Sequence, residues 1–158
     1  MATIHLTETT TATPEQVVSA FTDFGPERSK IFGRSAAGYL KVHDHGPGHA
    51  DVTEGSAGIW ERLTYDWTDP GRITMTTTDS NTWGGASGHN YTLTAQPDGT
   101  TKVDVDVVRE GKNLKGKLIE TLLRVMGPRL LGQGLTQTMR AIEARNDGRA
   151  SDAGSESQ

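Results

Sequence analysis

Between Tyr39 and Arg109 apolar side chains alternate with polar ones in short runs, and each run stops at a cluster of glycine, proline, asparagine or aspartate. A period of two is the mark of half-buried antiparallel strands joined by tight turns. The pattern predicts strands at Tyr39–His45, Ala50–Glu54, Gly58–Trp67, Arg72–Asp79, Gly88–Gln96 and Thr101–Arg109. Gly46-Pro47-Gly48, Asp69-Pro70-Gly71 and Pro97-Asp98-Gly99 supply the backbone freedom or fixed φ that the reversals need. Thr3–Thr10, where Ile4 and Leu6 alternate with polar neighbours, adds a strand at the start.

The period changes to that of a helix in two places. Thr13-Pro14-Glu15-Gln16 places a capping threonine before proline and a glutamine, and Val17, Val18, Phe21 and Phe24 follow at helical spacing, predicting a helix over Pro14–Phe24. Gly25-Pro26 breaks it, Glu27–Phe32 is long enough for a second short helix, and Gly33–Gly38 reads as a loop. Asn113 caps a long run whose apolar positions Leu114, Leu118, Leu122, Val125, Met126, Leu130, Leu131, Leu135, Met139 and Ile142 predict a helix to about Arg145. Gly127-Pro128 lies inside it, so a kink or break is expected there. Past Asn146 no apolar residue exceeds alanine, and residues 147–158 are expected to be a disordered polar tail behind a single domain of residues 1–146.

Composition narrows the classes. A chain of 158 residues is long enough to bury a core without staples, and it holds no cysteine, which removes disulfides and thiolate metal sites and fits a reducing cytoplasm. No run is apolar and long enough to insert in a membrane, and the first residues lack a signal-peptide pattern. The net charge of −4, with cations spread along the chain, argues against nucleic acid as the partner. Lys112, Lys115, Lys117, Arg124, Arg129, Arg140 and Arg145 nevertheless give the last helix a basic face, which is most simply a solvated surface.

The order strand, two helices, meander, long helix resembles the SRPBCC or START-like (helix-grip) superfamily, in particular its polyketide cyclase/dehydrase and lipid-transport-like group. The segments IWERLTYDWTDPGRI, TTTDSNTWGGASGHNYTL, PDGTTKVDVDVVREGKNLKGKL and MRAIEARN carry the likeness and are similar to actinobacterial members. The resemblance implies an α+β fold in which a seven-stranded curved sheet grips the kinked last helix, with a cavity between them for a hydrophobic or aromatic molecule. It brings no family-wide catalytic motif, because chemistry varies freely on this scaffold.

Site residues therefore follow from strand phase. The apolar phase turns Ile59, Glu61, Leu63, Tyr65 and Trp67 inward from one strand and Ile73, Met75, Thr77 and Asp79 from the next. His89, Tyr91, Leu93 and Ala95, then Val103, Val105, Val107 and Arg109, complete the inner face. Leu63, Tyr65, Trp67, Met75, Thr77, Trp83, Leu93 and Val105, with Leu118, Leu122 and Met126 of the helix, are the expected cavity lining. Glu61 and His89 become acid–base candidates if burial moves their pKa toward neutrality, with Tyr91 and Arg109 to polarise a carbonyl. The competing structural reading pairs Arg109 with Glu61 or Asp79 and bonds His89 to a tyrosine, which merely satisfies polar groups.

Other features weigh less. Trp83 caps the pocket or simply covers one end of the core. Gly84, Gly85 and Gly88 lack the lysine and following helix of a phosphate loop. His43, Asp44, His45 and His49 flank an exposed Gly-Pro-Gly turn and read as a solvated hairpin rather than a metal site. No cofactor signature is present. The leading expectation is a monomer or homodimer that binds a hydrophobic small molecule. The alternatives are a cyclase or dehydratase using Glu61, His89, Tyr91 and Arg109, and an interaction protein using the basic face of the last helix.

Overall fold

A computed structural model describes residues 1–32 and 38–155, the last five of them by their backbone. The loop expected at Gly33–Gly38 lies, apart from Gly38, outside the described residues. Strand β1 (Ala2–Thr10) is followed by helices α1 (Pro14–Phe21) and α2 (Arg28–Phe32). A meander then runs through β2 (Tyr39–Gly46), β3 (His49–Ser56), β4 (Ile59–Asp66), β5 (Arg72–Ser80), β6 (Gly88–Ala95) and β7 (Thr101–Arg109), and helix α3 (Leu114–Ser155) closes the chain. The strands form one antiparallel seven-stranded sheet in the order β1-β7-β6-β5-β4-β3-β2. The chain's first strand thus joins its last, leaving β1 and β2 as edges.

Local chemistry sets the helix ends. Thr13 and Gln16 form the reciprocal cap read from the sequence, with Gln16 N–H donating to Thr13 Oγ1 at 3.2 Å and Thr13 N–H to Gln16 Oε1 at 2.9 Å. α1 stops three residues before Phe24: the Thr22 hydroxyl joins its N–H on the Val18 carbonyl, and the next carbonyls, of Phe21 and Asp23, accept from the Arg28 side chain. Asn113 Oδ1 accepts from Gly116 N–H at 2.9 Å and so opens α3, while Lys112 N–H donates to the Thr82 carbonyl. The helix start is thereby pressed against the β5–β6 connection, so closely that a Cβ on Gly116 would stand 2.3 Å from the Thr82 carbonyl oxygen.

Along the rest of its length α3 packs mainly on β1 and the two short helices. Gly127 lies against Ile4, Leu123 and Leu131 touch the core, and Leu135, Met139 and Ile142 are buried in it. The helix passes Gly127-Pro128 without the break that proline suggests. Pro128 is exposed, so water can reach the Arg124 carbonyl that loses its donor. α3 also continues beyond Arg145 to Ser155, through most of the stretch expected to be a disordered tail. No proline occurs after Pro128, and Gly148 keeps a negative φ, so nothing local stops the helix.

Candidate functional site

The inner face of the sheet is built from Ile4, Leu63, Tyr65, Ile73, Met75, Leu93, Val103, Val105 and Val107, all buried, as the alternation predicts. Strand register then decides which polar residues join them. His89 of β6 stands between Met75 on β5 and Val107 on β7, and Tyr91 between Ile73 and Val105. Glu61, Thr77, His89 and Arg109 converge from four strands. Arg109 Nη1 donates to Glu61 Oε2 at 2.5 Å and Nη2 to Glu61 Oε1 at 3.3 Å and to His89 Nε2 at 2.7 Å. Thr77 Oγ1 adds a hydrogen bond to Glu61 Oε2 at 2.6 Å. The indole of Trp83, itself buried, covers the Arg109 guanidinium at 5.1 Å, and the rings of His89 and Tyr91 stack at 6.3 Å.

Asp79, expected to point inward, does not. The register shifts between Arg62 and Leu63, so that Leu63 faces Thr77 while Arg62 faces Asp79, and Thr78 is the extra residue of a bulge. Beyond it the phase reverses. Asp79 reaches solvent and lies 3.7 Å from Lys112 Nζ, while Ser80 turns in, fully buried, and its hydroxyl donates to the Trp60 carbonyl.

The protonation states are unlike those of an acid–base pair. Burial alone would raise the Glu61 carboxyl, but the Arg109 guanidinium and its hydrogen bonds hold it below the usual carboxylate range. Burial, followed by the Arg109 charge, brings His89 down to about 3, so the ring is neutral near pH 7. Arginine can only donate, so His89 Nε2 accepts from it, which assigns the ring proton to Nδ1. Although the ring as a whole is partly exposed, Nδ1 is itself buried and has no partner among the described residues. Burial also pushes Tyr91 up to about 12, so it stays a phenol.

A second cluster escaped sequence reasoning. Arg28, only 5% exposed, donates through Nη1 to the carbonyls of Phe21 at 2.8 Å and Asp23 at 3.2 Å, and through Nη2 to Tyr65 Oη at 2.9 Å and Glu54 Oε1 at 3.1 Å. Tyr65 Oη in turn donates to Glu54 Oε1 at 2.5 Å, and burial raises this phenol well above its ordinary pKa. The guanidinium lies over the rings of both Phe24 and Phe32, at 4.6 and 4.5 Å from their centres. The available signal was the Phe24–Arg28–Phe32 spacing, which puts an aromatic ring four residues to either side of one arginine.

Of the expected lining, Leu63, Tyr65, Met75, Trp83, Leu93 and Val105 are buried, and Trp67 packs against the same core. Leu118, Leu122 and Met126 are not gathered with them: all three lie at least half exposed on α3. Two open clefts lie away from the Glu61 group. One, of about 580 Å³, runs between β1 and α3 past Leu6, Pro128 and Thr136; the other, of about 630 Å³, lies at the Tyr39, Gly55 and Trp60 end of β2–β4. Among the histidines of the β2–β3 hairpin, His43 bonds Thr53, His49 bonds Asp44, and His45 lies between the rings of Phe24 and Trp67.

No family model matches the sequence, and no curated protein matches it. Solved structures do. A Thermus thermophilus protein superposes with a TM-score of 0.70 at 13% identity, over 91% of this chain and 99% of its own. The Zhui aromatase/cyclase of a Streptomyces species gives 0.67 at 17% identity, over 94% and 95%. A START superfamily protein of Mycobacterium smegmatis gives 0.63 at 15% identity, over 90% and 95%. Likeness at such low identity speaks for architecture: the chain has the START-like helix-grip fold, a curved seven-stranded antiparallel sheet with two short helices after the first strand and a long C-terminal helix.

Proposed function

We propose that the protein binds an apolar small molecule, aromatic or lipid-like, that presents an oxygen to the Glu61–His89–Arg109 group between the inner sheet face and α3. The observation that carries this reading is the Nδ1–H of His89, a buried donor with no acceptor among the described residues, beside Met75, Val107 and Tyr91. Leaving such a donor unpaired costs about 1–3 kcal/mol, a penalty that a ligand carbonyl or hydroxyl would relieve. Glu61 and Arg109 fix the imidazole's tautomer and orientation, so they act as positioning residues for that donor. Apolar walls with one aimed polar group are the ordinary form of a small-molecule site.

A cyclase-type activity is the second reading, favoured by the likeness to an aromatase/cyclase over nearly the whole chain. Under it the His89 donor and Tyr91 phenol would hold the oxygen of an enolate. Glu61 and His89 would not exchange protons, since the first is held ionised and the second neutral.

Titration with 9,10-anthraquinone and with anthracene, which differ only in the two carbonyls, tests the leading reading. The expected result is at least about tenfold tighter binding of the quinone by the unaltered protein, and loss of that preference in His89→Phe. Equal affinity for the two, or binding of neither, would overturn it.

A further inference from the structure

The outer side of α3 is unlike the surface of an ordinary solvated helix. Leu114, Leu118, Leu122, Val125, Met126 and Leu130 are between 50% and 86% exposed. The opposite side of the same helix, through Gly116, Glu120, Leu123, Gly127 and Leu131, is the one turned to the rest of the protein. Apolar residues therefore occupy both sides, and among the described residues only one side has protein to pack on. Single exposed leucines need no explanation, but a run of this length does.

The charges around the run are of one sign. Lys115, Lys117 and Arg129 are exposed and form no ion pair among the described residues. Between Leu114 and Leu130 the single carboxylate is Glu120, which is buried and already held by Arg124 and the Met1 amino group. In a chain of net charge −4, this segment carries four cations, Lys115, Lys117, Arg124 and Arg129, against that one carboxylate.

We propose that this face of α3 docks the protein onto an anionic lipid surface, the leucines entering the headgroup boundary and the cations meeting lipid phosphates. An interfacial helix pairs apolar side chains with basic ones in this way and does not need the length or purity of a spanning segment. None of the helices described is long and apolar enough to cross a membrane, so α3 lies on the surface. A second copy of the chain fits less well. Lys115 and Arg129 stand at equal sequence distance from Leu122, so antiparallel pairing about Leu122 sets each against the other, and parallel pairing sets each against itself. Neither arrangement offers a carboxylate to oppose them. A nucleic acid would use the cations but leave the six apolar side chains without a role.

Flotation with unilamellar vesicles tests the proposal. The protein should float with vesicles of equal parts phosphatidylglycerol and phosphatidylcholine, stay behind with pure phosphatidylcholine, and detach in high salt. Lys115→Gln and Arg129→Gln should each weaken binding about fivefold. Leu118→Ser with Leu122→Ser should weaken it at least as much while leaving the thermal melt unchanged, since both side chains are exposed. The proposal is overturned by failure to float, by equal floating with the neutral vesicles, by tighter binding of duplex DNA than of anionic vesicles, or by a solution dimer that the leucine variants dissociate.

Discussion

The inner face carries two arginine–glutamate pairs, each touching an aromatic ring, and they play opposite parts. Arg28 reaches across the fold: its donors take carbonyls at the end of α1, a carboxylate on β3 and a phenol on β4, with Phe24 and Phe32 against its faces. Arg109 stays within the sheet, spending its hydrogen bonds on Glu61 of β4 and His89 of β6 beneath Trp83. Each cluster keeps one buried nitrogen with no partner among the described residues, Nε of Arg28 and Nδ1 of His89. The first belongs to an arginine held against two phenylalanine rings. The second projects from an imidazole beside apolar side chains. The same ion-pair chemistry thus fastens helices to the sheet at one end and presents a hydrogen-bond donor at the other.

The sharpest way to break the comparison is to remove each guanidinium. Arg28→Met leaves the half-buried Glu54 without its cation and strips the donor from the carbonyls of Phe21 and Asp23, so urea unfolding should show a loss of about 3 kcal/mol. Arg109→Met also strips the cation from Glu61 but ties only strands of one sheet and releases no helix, so it should cost less, while removing the anthraquinone preference. Equal losses at the two sites would mean that both clusters are structural.

Next in size is the contrast between the two tyrosines. Tyr65 Oη bridges Glu54 and Arg28, so Tyr65→Phe removes hydrogen bonds to charged groups and should cost about 1.5–3 kcal/mol. The Tyr91 hydroxyl has no hydrogen bond among the described residues, and its ring packs edge-on to Phe21 at 4.7 Å, so Tyr91→Phe should cost under about 0.5 kcal/mol. A large loss at Tyr91 would place its hydroxyl in the framework and remove it from the ligand site.

How much of this could be read from the chain follows from where periodicity is sufficient. The strands and the inward phase of His89, Tyr91, Val105 and Arg109 were legible because a regular strand has a period of two. Asp79 was misread because a single bulge residue, Thr78, reverses the phase, and nothing in Thr76-Thr77-Thr78 marks which threonine is extra. The outward turn of Leu118, Leu122 and Met126 was hidden for a different reason. A helix apolar on both sides does not say by its pattern which side packs. The usable signal was glycine: Gly116 and Gly127 lie on the side that approaches Thr82 and Ile4 too closely for a Cβ. Arg28 was missed because a lone arginine in a short helix looks like solvated surface until its tertiary partners are known.

The gentlest test of the comparison uses pH. In the folded protein His89 titrates at about 3, against an ordinary histidine value of 6.5, so between these values the unfolded chain binds a proton that the folded one refuses. Stability should then fall as pH drops below 6.5, by about 1.4 kcal/mol per pH unit from this group, with no contribution above 6.5. Glu61, whose folded pKa is lowered, adds to the fall only once pH drops through the ordinary carboxylate value of 4.5. Urea unfolding at steps from pH 7.5 to 5 therefore isolates the imidazole, and His89→Asn should flatten that part of the profile while leaving stability at pH 7.5 nearly unchanged. Bound anthraquinone should raise the wild-type profile by a constant amount and leave its slope unchanged from pH 7.5 to 5, because the folded imidazole is already neutral throughout that range. A slope that survives His89→Asn would locate the missing proton elsewhere and remove the buried, neutral donor on which the ligand reading rests.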